Sequence, residues 1–95
     1  MYRQAFVPVT GVTGRVKVAE RQLLDLLRVL RDRGAKADFG LVPRNTCRLD
    51  LGMDGFELDA LLRRARQLGL VDVGQAYDHV VITQRGIERL GQGFH

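Results

Sequence analysis

Cysteine occurs once in this chain, at Cys47, so no internal disulfide can form and no cysteine-based metal site exists. A lone thiol suits a reducing compartment, and Cys47 is expected to serve as a small buried hydrophobe. Histidine occurs twice, once at the C-terminal residue, which leaves little for acid–base or metal chemistry. No glycine-rich phosphate loop and no nucleophile elbow is present. The stretch Gly11-Val12-Thr13-Gly14 lacks the lysine and the spacing of a P-loop. Neither an enzyme nor a cofactor-binding protein is therefore expected, and Asp72, Asp78 and Glu88 read as surface charges. No apolar run approaches the length of a membrane span. Residues 1–9 carry one arginine, one short apolar run and a proline, without the long apolar stretch of a signal peptide. The cytoplasm is the expected compartment.

Lysine is also scarce: only Lys17 and Lys36 are present, although Lys and Arg together number 15 against 11 acidic residues. The formal net charge is +4. A basic surplus favours acidic partners, of which nucleic acid is the commonest. Arginine in particular suits bidentate contacts to phosphate and guanine. Genomic base composition or a hot habitat explains the same arginine bias equally well. With 95 residues, 45% of them hydrophobic, the chain builds one core and no second one.

Periodicity divides the chain into an N-terminal arm, 1–18, and a helical domain, 19–95. The arm is rich in Val, Thr and Gly, and Arg15-Val16-Lys17-Val18 alternates as a half-buried strand does. A β arm or hairpin turning at 11–14 is expected, with Pro8 confining its strand to an edge. Leu23, Leu26, Leu27 and Leu30 predict a helix over 19–33, with Gly34 as its C-cap. Leu24 and Val29 widen its stripe beyond one core face, which points to a homodimer through this helix and the arm.

Loop with one short extended piece is expected over 35–44, then a short helix capped by Asn45 or Thr46, broken at Gly52. Asp54 and Glu57 form a capping-box pair that opens a longer helix. Leu58, Leu61, Ala65 and Leu68 form its buried face, Leu62 flanks it, and Gly69 ends it. Strands over 70–73 and 80–83 flank a polar turn, 74–79. Thr83 caps a last helix whose buried contacts are Ile87 and Leu90.

Three pieces of this order carry a resemblance. Cys47-Arg48-Leu49-Asp50-Leu51-Gly52-Met53 looks like a short helix with a glycine turn. Residues 54–71, ending Leu61-Leu62-Arg63-Arg64-Ala65-Arg66-Gln67-Leu68-Gly69-Leu70-Val71, are similar to a recognition helix with its "LxRLxxxGLV"-type exit. Val80-Val81-Ile82-Thr83-Gln84-Arg85-Gly86-Ile87-Glu88-Arg89-Leu90 looks like a wing strand entering an "LTxxGxxxL" helix. Residues 46–90 thus resemble the winged helix-turn-helix superfamily of small bacterial and archaeal repressors. The resemblance implies an α+β, mainly helical fold with three to four helices and a two-stranded wing hairpin, to which the β arm is added. It also implies a transcriptional regulator that binds double-stranded DNA through a recognition helix at 54–69.

With the leucines inward, the free face of that helix is Phe56, Asp59, Ala60, Arg63, Arg66 and Gln67, at about 3.6 residues per turn. Arg63, Arg64 and Arg66 motivate DNA contact, and Arg44 and Arg48 lie where the short helix would cross the backbone. Acidic Asp54, Glu57 and Asp59 oppose it. Asp59 is expected to pair with Arg63 one turn on, or to accept from a cytosine amino group. Phe56 suits a thymine methyl or a protein partner. The wing carries no Lys or Arg; Tyr77 and His79 can reach a phosphate or serve as plain turn residues. A protein–protein module within a transcription, replication or viral assembly is the alternative these acidic and apolar features support.

Overall fold

The leucine stripe sets the architecture: Leu23, Leu26, Leu27 and Leu30 are all buried on one side of α1, Arg3–Gly34. The computed structural model describes the backbone of residues 3–74 and 78–93, and the side chains of 19–74 and 78–91. After α1 come a single 3-10 turn at Asp38–Gly40, β1 at Val42–Pro43, and α2 at Arg44–Leu51. Then follow α3 at Gly55–Gln67, β2 at Val71–Val73, β3 at His79–Ile82 and α4 at Gln84–Gly93. Among the described residues the chain is α+β and mostly helical, with one small antiparallel sheet. None of the described helices is long and apolar enough to cross a membrane.

The sheet has three strands in the order β1-β3-β2, one more than the expected hairpin. Val42 pairs with Val80 and Pro43 with His79, while Val71, Asp72 and Val73 pair with Ile82, Val81 and Val80. The short extended piece before Arg44 is therefore an edge strand, where a proline lacking a donor is tolerated. Val42, Val71 and Val80 face a core completed by Cys47, Met53, Leu58, Leu61, Leu62, Ala65, Leu70 and Leu90. None of the described polar or charged residues is buried. Burial pushes the Cys47 thiol up to about 11, with the Asp50 charge adding to the effect, as suits a packing residue.

Residues 3–18 are helical, not a β arm: α1 runs unbroken from Arg3. An isolated two-stranded hairpin is marginal in water. Extending an existing helix requires no new nucleus, so weak helix formers are carried along by the leucine-rich segment. The extension makes the molecule long, at 58 × 30 × 21 Å.

Other local expectations also change. Gly34 does not end α1 by a left-handed turn; a Cβ there would sit 3.2 Å from the Gly40 carbonyl oxygen, so the position answers to close backbone approach. Neither Asn45 nor Thr46 caps α2, which begins directly after Pro43 without a side-chain cap. Leu68 and Ile87, expected inside, are each 46% exposed. Leu68 falls at the C-cap of α3, where the chain turns away from the packed face.

Candidate nucleic-acid interface

Glycine makes the bend between α2 and α3. Gly52 is left-handed at φ 65°, and its N–H donates to the Leu49 carbonyl at 3.3 Å, while the Met53 N–H donates to the Arg48 carbonyl at 3.1 Å. This pair of bonds satisfies the last carbonyls of α2 and lets the chain reverse. Asp54 then caps α3: its carboxylate accepts from the Glu57 N–H at 2.8 Å, and the Glu57 carboxylate accepts from the Asp54 N–H at 3.2 Å. The two acids at the helix entrance thus hold backbone donors that have no partner inside the helix. At the other end Gly69, at φ 76°, repeats the same exit, with Leu70 N–H donating to the Ala65 carbonyl at 2.9 Å.

Between these ends α3 buries Leu58, Leu61, Leu62 and Ala65 and exposes Phe56, Asp59, Ala60, Arg63, Arg64, Arg66 and Gln67. Phe56 is 88% exposed. All the residues assigned to the free face do lie on the wet side. Tyr77 lies outside the described residues.

Asp59 does not pair with Arg63. Its Oδ1 accepts from Arg44 Nη2 at 2.7 Å and from Arg44 Nε at 3.1 Å, and Arg44 Nη2 also reaches the Gly55 carbonyl at 3.2 Å. Arg44 is the first residue of α2, and its backbone N–H donates to the Asp78 carbonyl at 2.7 Å. The strand and the helix start are thereby held where the guanidinium meets α3, in preference to a pairing along the helix. Arg44, expected to lie against a phosphate, is turned back onto the protein. Arg48 likewise donates to Asn45 Oδ1, at 3.2 and 3.1 Å. Among the described residues, Arg63 and Arg64 make no ion pair. A cleft of about 470 Å³ runs beside α3, between Asp59, Arg63 and Arg66 on one side and Arg44, Val73 and Asp78 on the other.

No sequence signal links Arg44 to Asp59, 15 positions on, because only the α2–α3 bend brings them together. A second bridge of this kind joins α1 to α2: Arg33 Nε and Nη2 donate to the two oxygens of Asp50 at 2.8 and 3.0 Å. The Arg33 guanidinium holds the Asp50 carboxyl below its ordinary range through these hydrogen bonds and its charge. The chain matches no protein-family model, no curated protein and no solved structure.

Proposed function

We propose that this chain is a DNA-binding transcriptional regulator of the winged helix-turn-helix kind. In this reading α2 and α3 form the helix-turn-helix, β2 and β3 form the wing, and α3 enters the major groove of duplex DNA. One observation carries the reading: Arg63 and Arg64 stand exposed and without ion pairs among the described residues, on a helix whose opposite side is packed. The acidic residues that argued against DNA have other occupations, Asp54 and Glu57 in the cap and Asp59 on Arg44. Neutralised or capping carboxylates oppose phosphates less than free ones. The proposed role is binding without catalysis.

The test is a gel shift on random duplex at low salt, compared with the Arg63→Ala, Arg64→Ala double variant. The double variant is expected to bind at least about tenfold more weakly, with the salt dependence reduced by about two counterions. Absence of binding by the wild type at any salt overturns the reading. Unaltered binding by the variant overturns the placement of α3 in the groove.

A protein-interaction module is the second reading, favoured by Phe56 together with Leu49, which is 62% exposed at the end of α2. Exposed large apolar side chains suit a protein surface better than a phosphate backbone. Either reading accommodates a homodimer through α1, on which Leu24 and Val29 are only half-buried. Sedimentation at micromolar concentration tests it, and a monomer of 10.7 kDa refutes it.

A further inference from the structure

From the geometry of the Arg44–Asp59 bridge we infer that Asp59 is a specificity-determining residue that accepts a hydrogen bond from a cytosine amino group, with Arg44 as its positioning residue. The inference rests on the DNA-binding reading of α3 and goes beyond it, since it names the base that one residue reads. Asp59 lies near the N-terminal end of α3, the end that meets base edges when such a helix enters a major groove. Its side chain is 49% exposed, so it is available to a ligand. Both Arg44 donors converge on one oxygen, Oδ1, at 2.7 and 3.1 Å. The other oxygen, Oδ2, accepts no hydrogen bond among the described residues.

The arrangement separates two properties of a carboxylate. Arg44 offsets the charge that phosphates would repel. It also holds Oδ1 in place, because the two donors come from a guanidinium that a third bond ties to the Gly55 carbonyl. What remains is one carboxylate oxygen, Oδ2, without a hydrogen bond among the described residues, on a half-exposed side chain. Cytosine is the base whose major-groove edge offers a lone amino donor, and Asp is a recognised acceptor for it. Adenine presents its amino group beside an acceptor nitrogen, which a carboxylate would repel.

The test is selection from a random duplex library by the 95-residue chain, its Asp59→Asn and Arg44→Ala variants, and the Arg63→Ala, Arg64→Ala double variant. Circular dichroism checks that each variant keeps its helix content. The wild type is expected to enrich a motif with a fixed C·G pair. In Asp59→Asn the preference for cytosine at that one position falls by about tenfold while the remaining motif persists. Its affinity for unrelated duplex holds or rises, because one negative charge has gone; a residue with a merely structural role would lose affinity throughout. Arg44→Ala weakens the same cytosine preference without replacing it by another base. An unchanged motif in Asp59→Asn overturns the inference, and so does an Arg44→Ala effect confined to other positions. Where the arginine double variant loses binding but Asp59→Asn keeps the wild-type motif, the DNA reading stands and this inference alone falls. Failure of the wild type to enrich any duplex ends both.

Discussion

The two sides of α3 are built on opposite principles. The inner side is four apolar side chains, Leu58, Leu61, Leu62 and Ala65, that belong to the core. The outer side is charged, and at its beginning the capping box and the Arg44 bridge act within the first turns. Beyond Asp59 no ion pair fixes Arg63 or Arg64 among the described residues. The difference separates what stabilises the helix from what it offers to a partner, so substitutions on the two sides should fail in different ways.

The largest expected effect is on the inner side. Leu58→Ala should remove about 2–5 kcal/mol of stability in a denaturant melt, because the site is fully buried and leaves a cavity. A loss under 1 kcal/mol would mean that the inner side is loosely packed. Next comes the helix entrance: Asp54→Ala should cost about 1 kcal/mol, since the Glu57 N–H loses its carboxylate partner and half of the capping box goes with it. Phe56→Ala should leave the melt within about 0.5 kcal/mol, as the ring is out of the core. A larger loss would show the ring packing on its own chain.

The smallest effect is acidic and belongs to α1 and α2. Asp50 holds its proton less tightly in the folded chain than in the unfolded one, so the folded chain binds fewer protons there. Its contribution is complete above the ordinary carboxylate range, near pH 4, and is lost as pH falls below it. Thermal melts of wild type and Asp50→Asn should converge at low pH and differ slightly at neutral pH. Curves that stay parallel would remove the bridge from the acid response.

How much of this was legible in the sequence depends on range. The box at Asp54 and Glu57, the break at Gly52 and the inward Leu58, Leu61 and Ala65 are local patterns, and the structure has each of them. Arg44 on Asp59 is not local: helical spacing offered Arg63, and only the packing of α2 against α3 places a better donor there. The same holds for β1, whose two residues become a strand because β3 lies beside them. Residues 3–18 depart from their local pattern for a different reason. Their Val and Thr content favours strand locally, and the continuing helix of α1 overrides it. Ile87 is turned outward because α4 packs through Gly86 and Leu90, both buried, and a Cβ at Gly86 would meet the Leu70 carbonyl oxygen, so the close approach of backbone there sets the inward side.

The length of α1 has a hydrodynamic consequence. A compact chain of this size has a radius of gyration of about 12 Å, whereas this one has 15.3 Å. A single copy will tumble slowly and elute early, passing for a heavier particle on a sizing column. Mass therefore has to come from scattering or sedimentation, and a rod-like friction ratio at monomer mass would be the signature of the helix standing out from the body.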